Sequence, residues 1–452
     1  MTELYNLLFF LAFLLLAPPP AFAGPDDSES PSTHWSENAG AQAVGVSNAE
    51  SSVEVITLSR ALAFALAGNP DLEEFSWDVR ASEARLLQAE LLPNPTFEFV
   101  LEDFAGSGDF TSTDQAQATL LLSQLLELGG KRSARSQVAS HASELANWSY
   151  RIKRVEVLSD TTIAFIHVAA DQEKLRLARE ATKLAKTTLQ NIVARVKAGK
   201  SSTLQEMNAR VALAQLDIEQ ERAEHELKAA KLRLAAMWGA QNALFNRVDV
   251  DLFSRQPIPT YDELSDRLRS SPEIQRWMSE QQIWAAETRL ARANRIPDVT
   301  LDIGLRRYEG PDDGALVVQI SVPLPVFNRN QGRIEETIAL QRKSKAGKRS
   351  AEVRHNKLLF GMYQEVHQAE IEMEKSKTKI LPHAEEALRI AREGFQQGRF
   401  SYLELSDAQS TFVEARKRYI DLATEFYQFK VEVERLIGEP LHNEVRQISE
   451  EE

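Results

Sequence analysis

The chain has 452 residues, a formal net charge of −13 and no cysteine. A net acidic chain repels phosphate, which disfavours nucleic acid as a partner, and without a thiol there is no disulfide, no thiolate metal site and no N-terminal cysteine to acylate. Beyond the N-terminus no apolar run reaches the roughly 18 residues a membrane-spanning helix needs, so any crossing of a bilayer falls to strands.

In chain order, Leu7 to Ala17 is apolar and is followed by Pro18-Pro19-Pro20 and Ala21-Phe22-Ala23-Gly24. That pattern predicts a secretory signal over 1–23, although the preceding Met1 to Asn6 carries no Lys or Arg. Residues 24–52 are rich in Ser, Pro, Gly and Asn and read as a flexible polar tail. A short helix is expected from Leu58 to Ala67, broken by Gly68-Asn69-Pro70, then an amphipathic helix from Asp71 to Leu92 stopped by Pro93 and Pro95.

A first hairpin over 96–126 follows, with Phe97, Phe99 and Leu101 alternating against Thr96, Glu98 and Glu102. From Lys131 to Lys197 there is neither proline nor glycine, which predicts one helix about 100 Å long. Gly199 ends it, Ser201-Ser202-Thr203 start a return helix to about Trp238, and 240–260 is an irregular connection. The plan then begins again: a helix from Glu273 to Arg295, a hairpin over 298–323, a long helix from Arg333 to Gln396, a turn at Gly398 and a return helix from Ser401 to Ile437. In the second hairpin Val299, Leu301, Ile303 and Leu305 oppose Thr300, Asp302, Gly304 and Arg306, and Leu316, Val318 and Ile320 oppose Val317, Gln319 and Ser321. Pro382 removes a hydrogen bond from the second long helix and predicts a bend there. Residues 441–452 form a charged tail.

Ser123 and Ser321, like Arg135 and Arg333, stand 198 residues apart; Gly199 and Gly398, Leu204 and Leu403, and Gly239 and Gly438 stand 199 apart. The chain therefore reads as a tandem duplication, repeat one over 53–239 and repeat two over 261–440. In each half the short helices together span about 90 Å, close to the long helix beside them at about 96–100 Å, giving four rods on four strands. A lone two-stranded ribbon is marginal in water, and no other strand-rich region exists to cover these. The expectation is that the hairpins pair between chains in a closed barrel, with the apolar residues toward lipid. Along the first long helix Leu145, Trp148, Ile152, Val155, Thr162, Phe165 and Ala169 make a thin seam. A soluble periplasmic coiled-coil scaffold has the same seam and stands as the alternative of a different class.

The sequence carries no motif for catalysis or metal binding. The eight histidines show no ligand spacing, and Gly129-Gly130-Lys131-Arg132 lacks the spacing of a phosphate cradle. No nucleophile motif or isolated carboxylate pair stands out, so the expectation is no enzyme, no cofactor and no resident metal.

The proline-stopped hairpins, the turn segments Ala198 to Ala209 and Gln397 to Gln409, and Ser321-Val322-Pro323-Leu324-Pro325-Val326-Phe327-Asn328-Arg329-Asn330-Gln331-Gly332 resemble the TolC-type outer-membrane efflux family. Within that family the last stretch is most similar to the CzcC-like heavy-metal branch. The resemblance covers about residues 53–440. It implies a mainly α fold with a membrane β-barrel part: a homotrimer whose twelve-stranded barrel in outer-membrane lipid continues into a periplasmic helical tube. The implied partners are a periplasmic adaptor protein and, through it, a proton-driven inner-membrane pump. The implied cargo is divalent cations of the cobalt, zinc and cadmium class; drug efflux or protein secretion through the same duct is the alternative. Carried over by position, the adaptor-docking tips are Arg195, Gly199, Thr203 and Leu204, with Gly398, Ser401, Leu403 and Leu405. Apart from the resemblance, Glu393, Glu404 and Asp407 near the tips are candidates for an acidic ring at the tunnel mouth, with solvated helix-surface charge as the favoured alternative.

Overall fold

The structure, a computed structural model, describes residues 53–254, 257–310 and 313–441. The expected signal segment, the polar tail up to residue 52 and residues 442–452 lie outside the described residues.

Repeat one runs β1 (Val53–Ile56), α1 (Leu58–Gly68), α2 (Pro70–Glu90), β2 (Thr96–Glu102), β3 (Gln117–Leu126), α3 (Lys131–Lys197) and α4 (Thr203–Ala236). The segment after it holds β4 (Phe245–Val248). Repeat two runs α5 (Tyr261–Arg269), α6 (Pro272–Ala293), β5 (Val299–Tyr308), β6 (Asp313–Ser321), α7 (Gln331–Lys375), a π turn over Ser376–Ile380, α8 (Leu381–Gln396) and α9 (Tyr402–Ile437).

The helices lie in one row. The long α3 packs on α2 and α4 on one side and on α6 and α9 on the other, and α6 and α9 pack in turn on α7 and α8. The rods are thus α2 with α4, then α3, then α6 with α9, then α7 with α8. The sheet has the order β2-β3-β5-β6, so each strand continues the rod beside it and the two layers share one arrangement.

The two hairpins do not wait for another chain. β3 pairs antiparallel with β5 over its whole length, from Gln117 opposite Tyr308 to Leu126 opposite Val299, so the expected pairing between chains applies only to the outer strands β2 and β6. A four-stranded sheet meets the demand for a partner that a lone ribbon makes.

Two further differences lie at mid-height. The irregular connection contains β4, which pairs in parallel with β1, and α5 starts at a capping box in which Thr260 and Glu263 exchange bonds. Both help form a belt around the rods. Ile56, Phe165, Val168, Leu234, Phe245 and Val248 fill one side of it, and Ile166, Leu264, Leu268, Leu359, Val366, Met373 and Phe426 fill the other. Gln172 ties β4 to α3 by accepting from the Val248 N–H at 2.8 Å and donating to its carbonyl at 3.2 Å.

Pro382 does not simply break its rod. The preceding turn widens to π, and the Leu381 N–H reaches the Ser376 carbonyl five residues back. The wider turn takes up the space the proline ring needs and the bond it cannot make.

Candidate functional site

The strand register sorts the sheet into two faces, because directly opposed residues project to the same side. Phe97, Leu122, Ile303 and Val318 form one row, and Phe99, Leu120, Leu305 and Leu316 the next. Leu301 and Ile320 fall in the adjoining row and Val299 beyond it, while Leu101 stands opposite Ala118 at the far end. All ten strand residues singled out in the sequence therefore share one face. Phe97, Phe99, Leu101, Leu316, Val318 and Ile320, on the outer strands, are exposed. Val299, Leu301, Ile303 and Leu305 are half-buried because β5 has a neighbour on each side. The other face carries Thr96, Glu98, Thr119, Ser123, Asp302, Arg306 and Gln319. Among the described residues no helix is long and apolar enough to cross a membrane.

Two arginines brace the joints between sheet and rods. Arg135 holds Glu127 at 2.6 Å and the Ala89 carbonyl at 3.0 Å, and Arg333 reaches Glu287 at 3.1 Å. Each reaches a residue 46 positions earlier, on the neighbouring rod, so the same brace is built in both repeats. Lys131 and the Leu128 N–H converge on Asp298 at 2.7 and 3.0 Å, joining repeat one to repeat two.

At the opposite end the rods close in two similar turns. Gly199 and Gly398 both have positive φ, +71° and +76°. In each turn the glycine N–H and the next N–H bond back to carbonyls three and five residues earlier, a Schellman closure that a side chain at the glycine would strain. Ser202 and Ser401 cap the helices that follow.

The tips carry most of the expected docking residues at the surface. Gly199, Thr203, Leu204, Gly398, Ser401 and Leu403 are exposed, with Leu204 at 69 % and Leu403 at 76 %. Leu405 is corrected: it is 2 % exposed and packs with Ile192, Leu388, Phe395 and Tyr402 in a small tip core, on the inward side of α9. Arg195 is only partly available, since it donates to the Phe395 carbonyl at 2.7 Å and stacks on the Phe395 ring. It holds the first tip to the second.

The expected acidic ring is also narrowed. Glu404 closes a capping box, accepting from the Ser401 N–H at 2.7 Å, and that bond to the backbone holds its carboxyl below the usual range. Glu393 pairs with Arg389 at 2.7 Å. Asp407 is exposed on α9.

Sequence reasoning missed Gly394, where a side chain would run into the Phe400 ring; the lone glycine two residues before the end of a helix was the available signal. His167, one of the eight histidines without ligand spacing, meets Gln428 at 2.9 Å across the α3–α9 seam, where burial lowers the imidazole pKa. Among the described residues no group of three or more His, Asp or Glu is placed to hold a metal ion.

Comparison with known proteins agrees with this geometry. The model of the outer membrane efflux protein family matches residues 62–240 and 264–439. The cobalt-zinc-cadmium resistance protein CzcC of Cupriavidus metallidurans is 30 % identical over 383 residues, covering 85 % of this chain and 90 % of that protein. The nickel-cobalt-cadmium resistance protein NccC of Alcaligenes xylosoxydans xylosoxydans is 28 % identical over 273 residues, 60 % of this chain and 62 % of that protein. A crystal structure of CusC, from work on transmembrane channel formation, superposes with a TM-score of 0.73 at 17 % identity, covering 84 % of this chain and 92 % of that one. With one apolar sheet face, four rods in a row and this match along both repeats, the chain belongs to the outer membrane efflux protein family, whose TolC-type members are channels of the Gram-negative outer membrane.

Proposed function

We propose that three copies of this chain close into a passive duct that exports divalent heavy-metal cations. The observation that carries the reading is a four-stranded sheet with one apolar face and two unpaired edges, β2 and β6, at the end of a row of rods with its own open sides. The rod of α2 and α4 exposes Trp77, Val211 and Ile218, and the rod of α7 and α8 exposes Val353, Phe360 and Ile390. A row open at both sides, with strand edges in step, closes by repetition around an axis. The edges β2 and β6 then pair between copies, the apolar face meets lipid, and no backbone group is left unpaired in the bilayer.

The helical part hangs into the periplasm, where Leu204 and Leu403, beside the bare turns at Gly199 and Gly398, form the surface for a periplasmic adaptor. Energy comes from an inner-membrane proton-driven pump reached through that adaptor. The chain itself carries out no catalysis. The names of its relatives CzcC and NccC support metal cations rather than drugs or polypeptides as cargo.

Deletion of the gene in its native host tests the cargo. Tolerance to cobalt, zinc or cadmium is expected to fall and to return on complementation. Loss of drug tolerance with cation tolerance unchanged overturns the metal reading and leaves the duct.

A further inference from the structure

Among the described residues, Asp302 is the least exposed acidic residue, at 6 %. Two basic groups of this region are engaged elsewhere. Arg306 donates to the Thr119 hydroxyl at 2.9 Å, and Lys131 pairs with Asp298. Among the described residues no hydrogen-bond donor and no cationic group reaches the Asp302 carboxylate. Its oxygens have no protein partner and keep contact with solvent on the polar face of the sheet, so the charge is open to a mobile counter-ion.

The register supplies the rest of the setting. Asp302 stands opposite Ser123 on one side and Gln319 on the other, and Ser123 stands opposite Thr96. One row across all four strands, on the polar face, is therefore hydroxyl, hydroxyl, carboxylate and amide. No hydrophobic or basic residue interrupts it. The adjoining rows differ: one reads Glu98, Leu121, Gly304 and Val317, and the next Val100, Thr119, Arg306 and Ala315. Asp302 lies four residues beyond Asp298, about 13 Å along the strand, so the row sits at the helix-proximal end of the sheet.

We propose that the row Thr96, Ser123, Asp302 and Gln319 is a cation-binding station. Resting on the trimeric duct above, it repeats in each copy and makes a ring of oxygen donors with three carboxylates facing the lumen. Neutral oxygen and carboxylate donors without imidazole or thiolate suit divalent cations that keep part of their water. Such a ring draws cations in and does not hold them as a closed nitrogen or sulfur site does.

The test uses the purified full chain in planar bilayers. Reversal potentials are measured in a KCl gradient, and block is measured with added Co²⁺, for the wild type and for Asp302→Asn, Asp302→Glu and Glu98→Gln. The wild type is expected to prefer K⁺ over Cl⁻ and to be blocked by Co²⁺. Asp302→Asn is expected to lower the preference and weaken the block by about fivefold, the weight of one unit charge acting at 4 Å through water. Asp302→Glu and Glu98→Gln are expected to stay near wild type. Unchanged selectivity and block in Asp302→Asn channels overturn the proposal, and so does a wild type that Co²⁺ leaves unblocked, a result available even if Asp302→Asn yields no channels. A wild type that conducts nothing sinks the duct reading instead, so the two failures are distinguishable.

Discussion

The two long rods occupy equivalent places in the two repeats and are built differently. α3 is unbroken over 67 residues and has packed neighbours on both sides. Its counterpart is divided by a π turn before Pro382 into α7 and α8 and has neighbours on one side only within the chain. The difference follows position in the row. A widened turn at the edge can turn its irregular backbone toward solvent or a partner, whereas the same turn inside the row would disturb four packed helices. Duplication supplied two copies of one plan, and their surroundings decided which copy tolerated a proline.

A proline moved to the inner rod tests this most severely. Val168 is fully buried in the belt, and Val168→Pro is expected to cost about 3 kcal/mol or more, with loss of heat-modifiable trimers on gels. The reverse change at the edge, Pro382→Ala, is expected to leave trimers intact and to alter conductance by removing the π turn; unchanged conductance would show that the π turn does not shape the duct.

Glycines sharpen the contrast at intermediate size. Gly394 lies against Phe400 in the tip, while an added methyl at Gly361 on α7 meets nothing within 4 Å. Gly394→Ala is expected to destabilise by about 1–3 kcal/mol through overpacking, and Gly361→Ala to stabilise by about 1 kcal/mol through helix propensity. Thermal unfolding of both variants, with shifts of the same sign, would refute the distinction.

The smallest effect is at Glu434 on α9. Burial pushes its carboxyl pKa up, against the Leu441 N–H at 3.0 Å and Lys430. A carboxyl whose pKa is higher folded than unfolded favours the folded state at acid pH, and that contribution is lost as pH rises through the folded value. Glu434→Gln, which keeps the acceptor for Leu441, is expected to raise the melting temperature at pH 8 and to leave it unchanged at pH 4. A rise that is equal at both pH values would assign the effect to packing.

Much of this architecture was legible because it rests on local rules. Proline and glycine mark nearly every element end, and the absence of both from 131 to 197 gave α3 its bounds. Alternation identified the sheet faces. What stayed hidden depends on contacts distant in sequence. β1 and β4 are four residues each, too short for alternation to be read, and their pairing spans most of repeat one. The pairing of β3 with β5 has no local signature either. At the tips, spacing placed Leu405 beside Leu403, but only the helix phase shows that one turns inward to Phe395 and the other outward.

The β3–β5 pairing also bears on how the assembly is born. Were each hairpin independent, six ribbons would have to find partners from separate molecules, each encounter weakened by dilution. Here half of those seams form within a chain, at the modest entropy of closing a loop. Only three encounters remain, each joining a β2 edge to a β6 edge, so a pre-shaped third of the cylinder is the unit that arrives at the bilayer.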